Sequence, residues 1–346
     1  MARTQTPLIS STSPVPSPAA LVEVPFEDWD RLLRALGLSD AYLRMGYLRA
    51  ACALTPAEPV LLHLSGRDGD VVFACLVRAD PTDVVTPYGY GGPVATGQSP
   101  PTNRFAEEYE AWCGRRGVVS SFVLYHPLFR NHKLPMAAFH RSPLAGTICW
   151  ALGDDDLRLG MHPHHRRIVR RIQAAGVHVR VEEAPTDLGR FIRLYEQTMT
   201  RVGADPFYFF PEGYWEALAG DVSLVQVDIL QNGQELASVL ALTGPPWLHY
   251  HLGASSEAGR SLGASHLALY ELARWGQQRG YQSLHLGGGV GGRSDSLYLF
   301  KKRFAPGGRL PSYVGKAVHD SDVYKRRAGQ QEITFSGFFP AYRAPR

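Results

Sequence analysis

The sequence predicts a mixed α/β protein whose two halves have a similar order of elements. Each half contains a helical pattern, a β-hairpin and then a further helix and strand. The first hairpin turns at residues 66–69 and the second at Asn232-Gly233, a strong turn signal. Residues 153–156 interrupt the pattern between the halves. We therefore expect an α/β fold with α+β mixed sheets in two similar units.

The elements of the first half follow from the spacing of its apolar residues. Trp29, Leu32 and Leu36 recur at intervals of three and four, which predicts a helix over residues 26–48. After it we expect two hairpin strands (59–64 and 71–77), a loop with two tyrosines (86–93), a helix (105–116) and a strand (118–125).

The elements of the second half follow in the same way. Leu269, Leu272 and Gly276 lie on one face of a predicted helix over residues 264–279. The full predicted order is a basic helix (164–175), a strand (177–182), a helix (188–202), two hairpin strands (222–230 and 235–242), a strand (247–252), the helix just named and a strand (282–286).

Composition allows two ordinary hydrophobic cores and sets few other limits. The chain has 346 residues, of which 45% are hydrophobic, and a net charge of +4. The four cysteines form no CxxC pair, so we expect no cysteine metal site and a cytoplasmic, reducing location. Residues 1–20 are rich in Ser, Thr and Pro and predict a disordered tail, not a signal peptide. No apolar run is long enough to predict a membrane span.

The most informative segment is a glycine-rich turn followed by a lysine between aromatic residues. Residues 287–289 are three glycines after a short apolar strand, and such glycines let backbone approach a ligand closely. Lys301 lies between Phe300 and Phe304, where it can meet developing negative charge in a dry pocket. The alternative is a surface lysine. Asp295 is either a general base or the N-cap of the helix that carries Lys301.

Two further segments predict contact with anions. Arg260, Gly263 and Ser265 precede a helix, whose N-terminus attracts phosphate, although Gly263 alone allows the helix to begin. This spacing resembles the pyrophosphate-binding turn of GNAT-fold acyltransferases, with Ser265 in place of Gly or Ala. The helix at 164–175 has four arginines one turn apart that fit phosphates or form a solvated face: Arg166, Arg167, Arg170 and Arg171. We expect no metal at the histidines beside them.

Missing motifs narrow the chemistry. The sequence has no Gly-x-Ser-x-Gly, no Walker lysine and no Gly-x-Gly-x-x-Gly followed by an acidic residue. This argues against a hydrolase, a kinase and a dehydrogenase. Tyr88 and Tyr90 each adjoin glycine and either project into a cleft or pack within a turn.

Motifs along nearly the whole chain, from about residue 26 to 343, together resemble the Fem family of aminoacyl-tRNA-dependent transferases within the GNAT superfamily. The residues that carry the resemblance are 86–93, 122–127, 250–254, Gly263-Ala264, Trp275, Gly280, 286–289, 295–297, Phe300-Lys301, Phe304 and 338–343. The chain lacks a counterpart of the helical-hairpin arm of larger members.

The resemblance implies tandem GNAT-like domains at 21–150 and 151–311, with segment 312–346 returning to the first. It also implies transfer of an aminoacyl group from tRNA to a primary amine, with Lys301 stabilising the transition state, and no cofactor besides this co-substrate. The substrate-binding residues we expect are Tyr88, Tyr90, Tyr250, Gly288, Gly289, Ser296, Tyr298, Phe300 and Phe304.

Three functions remain open at this point. The first is the tRNA-dependent aminoacyltransferase, acting on a peptidoglycan precursor or on a small amine such as an antibiotic, with no DNA partner. The second is an acyl-CoA-dependent N-acyltransferase, which the turn at Arg260 favours. The third is a non-catalytic binding protein, against which the intact Phe300-Lys301 pair argues.

Overall fold

The computed structural model describes residues 20–344 and contains two mixed β-sheets covered by helices. The predicted α/β class is therefore confirmed. Of the tail expected over residues 1–20, all but Ala20 lies outside the described residues.

The first sheet takes its strands from the first part of the chain and from one late strand. Its order is β1-β2-β3-β4-β6-β15-β7, and β5 also pairs with β3. The strands are β1 (Val22–Glu23), β2 (Glu58–Ser65), β3 (Asp68–Arg78), β4 (Asp83–Val85), β5 (Val94–Ser99), β6 (Ser120–Leu124), β7 (His140–Pro143) and β15 (Tyr313–Val318).

The second sheet has the order β14-β8-β13-β12-β11-β10-β9. Its strands are β8 (Thr147–Ala151), β9 (His178–Glu183), β10 (Leu224–Gln231), β11 (Gln234–Gly244), β12 (Trp247–Ser255), β13 (Ser283–Gly287) and β14 (Arg309–Leu310). The helices of the chain are α1 (Phe26–Ala35), α2 (Met45–Cys52), α3 (Thr102–Arg116), α4 (Pro163–Gln173), α5 (Gly189–Arg201), α6 (Glu212–Asp221), α7 (Glu257–Leu262), α8 (Ala264–Gln278), α9 (Ser296–Lys302) and α10 (Ser321–Ala328).

Both sheets share one topological unit. In the first, β2, β3 and β4 are antiparallel and β4 then runs parallel to β6, with α3 as the crossover. In the second, β10, β11 and β12 are antiparallel and β12 runs parallel to β13, with α8 as the crossover. A parallel pair requires such a crossover connection. The two sheets thus repeat the same sequence of pairings although their sequences do not repeat.

The prediction of one unbroken helix over residues 26–48 is wrong. The chain forms α1, then a 3₁₀ turn at Ala41–Leu43, then α2. Gly37 has a φ of 69°, a left-handed conformation that ends α1, and the Asp40 carboxylate caps the 3₁₀ turn. The other predicted helices and strands begin and end within three residues of the observed ones. Several elements were not predicted, among them α6, α10 and β8.

Three large apolar clusters hold the fold together. Phe73 and Tyr109 are buried between the first sheet and α3, and Val227 and Leu272 between the second sheet and α8. A third cluster joins the halves, since it contains Tyr47 of α2 together with residues of α5, α6 and the second sheet. The interface between the halves is therefore itself a core.

The chain crosses between the sheets twice. Strand β8 pairs in the second sheet, so the boundary expected at residue 150 falls inside that strand. Strand β15 returns to the first sheet and pairs with β6 and β7. Across the described residues, the helices are all too short or too polar to cross a bilayer.

Candidate active site

The candidate site opens where two parallel strands separate. Strands β12 and β13 pair only from Trp247 to His249 and from Ser283 to His285. On its other side β12 is irregular, because its register with β11 shifts between Leu252 and Tyr250. Such a bulge re-aims the side chains beside it. The separation leaves space beyond the strand ends for the glycine turn and for Tyr250.

The three glycines let the backbone pass close to functional side chains. Gly287 has a φ of 74°, and a Cβ there would lie 3.4 Å from the Tyr90 hydroxyl and 3.5 Å from Lys301 Nζ. A Cβ on Gly289 would lie 2.3 Å from an oxygen of Asp295. The backbone of Gly288 hydrogen-bonds the Tyr90 hydroxyl. A side chain at 289 would therefore displace Asp295, and one at 287 would strain the backbone at its positive φ.

Lys301 is buried at the centre of this space, with 7% of its surface exposed. Its Nζ donates a hydrogen bond of 2.7 Å to the carbonyl oxygen of Gly288 and lies 5.3 Å from the centre of the Tyr250 ring. Burial lowers the pKa of Lys301 to about 8, while the nearby Asp295 carboxylate acts in the opposite direction. The lysine therefore keeps its positive charge at neutral pH in a site that holds little water, which excludes the surface-lysine alternative.

Asp295 caps helix α9. One carboxylate oxygen accepts a hydrogen bond of 2.9 Å from the Tyr298 N–H, and the other accepts one of 2.9 Å from the Val290 N–H. Partial burial raises the pKa of Asp295, but these backbone hydrogen bonds and the Lys301 charge outweigh it, and the net pKa is lowered. Both oxygens are engaged and the group stays ionised, so its geometry favours the capping role over that of a general base.

Aromatic side chains surround the lysine. Tyr90 stacks beside the glycine turn, with its ring 5.0 Å from that of His285. The Tyr88 ring lies 5.7 Å from Phe207 and 5.8 Å from His251. Burial raises the pKa of both tyrosine hydroxyls, so they remain protonated donors at neutral pH. Both rings pack, partly exposed, against the apolar cluster that joins the halves. That they line a substrate cleft stays a prediction.

The remaining residues of the α9 segment divide between surface, cleft and core. Ser296 is exposed at the first turn of the helix. Phe300 lines a cavity described below, whereas Tyr298 and Phe304 belong to the core of the second sheet. Phe304 has no exposed surface and packs 5.4 Å from Trp150. Tyr298 and Phe304 therefore pack into the core on the buried side of the helix and do not face the cleft.

A cavity of about 300 Å³ runs from the N-terminus of α8 to Tyr250 and Phe300. Arg260, Gly263 and Ser265 lie at its outer end, at the start of α8, and Tyr250 and Phe300 line it as well. Because Tyr250 also contacts the Lys301 ammonium, the cavity joins the predicted anion site to the lysine. An extended donor with phosphate at one end fits this arrangement.

Helix α4 brings the arginines next to the same cavity. A Cβ on Gly263 would lie 2.8 Å from Ile168 of α4, and Arg171 donates a hydrogen bond of 2.9 Å to the Leu262 carbonyl. Arg167 and Arg170 are exposed, and Arg166 is half-buried. Within residues 20–344, none of the four arginines forms an ion pair with a carboxylate. The result is a positive surface that continues the anion site.

The histidines at the start of α4 have structural roles. His162 caps the helix, and His165 is buried with its Nε2 3.0 Å from the Phe300 carbonyl oxygen. Burial lowers the pKa of His165 to about 3, so the ring is neutral.

Sequence reasoning missed one group of buried polar residues between the sheets. Asp40 Oδ2 lies 2.7 Å from His249 Nε2 and 3.4 Å from His126 Nε2. His249 Nδ1 lies 3.3 Å from His285 Nδ1. Asp40 and His249 are 209 positions apart in sequence, so no local spacing connects them. The signal available was only that His249 and His285 occupy apolar strands.

Comparison with known proteins agrees with this geometry. Residues 163–295 match the Acetyltransferase (GNAT) domain family. The structure resembles the crystal structure of FemX with a TM-score of 0.64 and 15% identity, over 88% of this chain and 99% of that one. No curated protein matches the chain in sequence.

Two further solved structures have a similar fold. The C-terminal domain (DUF2156) of a proposed lysylphosphatidylglycerol synthetase from Agrobacterium fabrum gives a TM-score of 0.57 at 13% identity, over 86% of this chain and 92% of that one. L-PGS from Bacillus licheniformis gives 0.55 at 13% identity, over 86% and 93%. The chain thus has a GNAT acyltransferase fold, arranged over nearly its whole length as in FemX.

Proposed function

We propose that this protein transfers an aminoacyl group from aminoacyl-tRNA to a primary amine and forms an amide. The observation that carries the proposal is the buried, charged Lys301, held by the Gly288 carbonyl and lying beside Tyr250, which lines the cavity. A lysine so placed can stabilise an oxyanion.

The chemistry needs no covalent intermediate on the protein. The amine nitrogen attacks the ester carbonyl, and a tetrahedral intermediate with a negative oxygen forms. The C–O bond to the tRNA ribose then breaks, and the proton lost by the amine passes to the departing ribose oxygen. Lys301 Nζ carries three N–H groups, of which one is used by the Gly288 carbonyl, so others are available to the oxyanion.

The donor is supported by charge and by the similar structures. The α4 arginines and Arg260 spread positive charge over a surface that extends past the cavity. A long RNA backbone requires such an extended positive surface. One structural neighbour is described as a proposed lysylphosphatidylglycerol synthetase, so aminoacyl transfer is assigned to a protein of this fold. Because aminoacyl-tRNA is made in the cytoplasm, we place the reaction there.

The predicted cleft around Tyr88 and Tyr90 would hold the acceptor. Its walls would be aromatic, and Phe207 extends them at the surface with 51% of its area exposed. Such walls favour a small amine-bearing natural product over a highly charged peptidoglycan precursor.

An acyl-CoA donor is the second candidate. The cavity beside Gly263 and the α8 N-terminus suits a pyrophosphate, and the match to the GNAT domain covers this region.

One assay separates the two donors. Purified protein is incubated with labelled amino acids, total tRNA, synthetases and a panel of amines, or with acyl-CoA and the same amines. We expect labelled amide only in the tRNA reaction, and loss of product after RNase treatment. Amide formation from acyl-CoA that survives RNase would establish the second candidate instead.

A further inference from the structure

The buried group of Asp40, His126 and His249 has the composition and spacing of a metal site. Asp40 precedes the 3₁₀ turn, His126 follows β6 of the first sheet and His249 lies on β12 of the second. One carboxylate oxygen and two imidazole nitrogens lie within 4.8 Å of one another. We propose that these three side chains bind a zinc ion, a function separate from acyl transfer.

The distances fit zinc after a small adjustment. Zinc bonds to nitrogen and oxygen are about 2.0–2.2 Å, so donor atoms in a tetrahedral site lie roughly 3.3–3.5 Å apart. The 3.4 Å separation between Asp40 Oδ2 and His126 Nε2 already has this value. The 2.7 Å separation between Asp40 Oδ2 and His249 Nε2 must widen by roughly 0.7 Å, within the reach of side-chain rotation.

An unpartnered nitrogen points to a ligand. His126 has no exposed surface, and its Nε2 forms no hydrogen bond within the described part of the chain. Buried polar atoms normally have a partner, and an exception calls for one that is not a protein group. The same nitrogen lies 3.4 Å from Asp40 Oδ2, so it faces the other two donors.

Charge gives a second reason. Asp40 is 1% exposed, and its close side-chain contacts among the described residues are with His126 and His249, not with lysine or arginine. A buried carboxylate is costly unless a positive charge accompanies it. A protonated histidine or a metal ion can supply that charge, and a zinc ion also takes imidazole nitrogens as ligands.

Neighbouring groups hold the ligands in orientation. The other oxygen of Asp40 accepts a hydrogen bond of 3.0 Å from the Tyr42 N–H, and His249 Nδ1 lies 3.3 Å from His285 Nδ1. Such outer partners orient ligands in metal sites. Zinc on His126 Nε2 would place the proton on its Nδ1, which here accepts a 3.5 Å contact from the Phe129 N–H. Metal binding therefore requires that weak contact to open, because two N–H donors cannot bond each other.

The consequence is a cross-link between the halves. His126 follows β6 of the first sheet and His249 lies in the second sheet, so one ion bound to both fixes the relative position of the halves. Binding energy of this kind is also folding energy. We therefore expect the metal to raise thermal stability and to do so whether or not the protein is an acyltransferase.

The test measures zinc directly. The full chain is produced in zinc-supplemented medium, and its metal content is measured by inductively coupled plasma mass spectrometry. We expect about one zinc per chain in the wild type and much less in His126→Gln and His249→Gln. The control is His63→Gln, because His63 pairs with Asp70 at 2.8 Å without a third ligand, and this variant should keep the zinc.

A second measurement covers variants that fail to fold. The wild type is stripped with a chelator, and zinc is added back while its melting temperature is followed. We expect a rise of roughly 5–10 °C that saturates near one equivalent. A wild type that carries no zinc, and whose melting temperature does not respond to added zinc, would overturn the proposal. So would folded His126→Gln protein that binds zinc as the wild type does.

Discussion

The Lys301 ammonium lies 2.7 Å from the Gly288 carbonyl oxygen, and the same glycine hydrogen-bonds the Tyr90 hydroxyl through its backbone. One residue of the glycine turn therefore fixes a cation from the second half and a phenol from the first. Because Gly287 precedes it with a φ of 74°, this arrangement depends on backbone that only glycine adopts readily.

The first prediction concerns activity and pH. The pKa of Lys301 is lowered to about 8, so its charge is lost as pH rises through 8. If that charge stabilises the oxyanion, kcat falls about tenfold per pH unit above this value. The measurement is kcat from pH 6 to 10 in the wild type and in Lys301→Arg, whose guanidinium stays charged. A high-pH limb that persists unchanged in an active Lys301→Arg enzyme would assign it to another group.

The second prediction concerns stability. The lowered pKa of Lys301 means that the folded protein holds its proton less tightly than the unfolded chain does, so burial of this charge costs most below pH 8. From a pKa of 10.5 unfolded to about 8 folded, the cost is about 3 kcal/mol. Lys301→Met should therefore be more stable than the wild type at pH 7. Its advantage should shrink between pH 8 and 10.5, as measured by denaturant unfolding. An advantage that does not vary with pH would show that the lysine does not titrate in this range.

The third prediction separates two roles of Asp295. If Asp295 acts as an N-cap, its replacement by alanine lowers the free energy of unfolding by about 1 kcal/mol, whereas asparagine caps nearly as well. The asparagine oxygen can keep the bond from the Tyr298 N–H but not also the one from the Val290 N–H. We therefore expect Asp295→Asn to keep most of the activity and to be more stable in thermal unfolding than Asp295→Ala. If Asp295→Asn is stable but has lost its activity, the result would favour a general-base role for Asp295.

The fourth prediction tests the α4 surface. If its arginines bind RNA phosphates, the slope of log affinity against log salt falls by about 1 for each phosphate that is no longer neutralised. The variant replaces the four arginines together by alanine, and tRNA binding is measured from low to moderate salt. The matched control replaces Arg31 and Arg34 of α1, which lie on a different helix. If the α4 variant and the wild type show equal slopes, the four arginines form a solvated face and do not bind RNA phosphates.

Much of the fold could be predicted because its signals are local. Apolar spacing located α8, and Asn232-Gly233 located the β10–β11 turn, since that turn requires left-handed backbone at both positions. The break between α1 and α2 was not predicted, because apolar residues recur on both sides of Gly37 and Asp40. The left-handed Gly37 and the Asp40 cap make the break, and the end of β11 packs against the chain there at residues 39–41.

The site was predictable where its residues are neighbours in sequence. Lys301 and the glycine turn lie within fifteen positions of each other and were recognised together. Sequence spacing placed Phe304 beside the lysine, yet Phe304 follows the end of α9 and its ring packs against Trp150 in the core of the second sheet. The Asp40–His126–His249 group depends on three distant segments, so only the folded chain reveals it.

The most direct test of the central claim is the kinetics of Lys301→Ala beside Lys302→Ala. Lys302 is exposed on the same helix and serves as the matched control. We predict that Lys301→Ala lowers kcat and kcat/KM together by about 10²–10³, with KM little changed, and that Lys302→Ala is mild. A folded Lys301→Ala enzyme that keeps most of its kcat, or that raises only KM, would contradict the account.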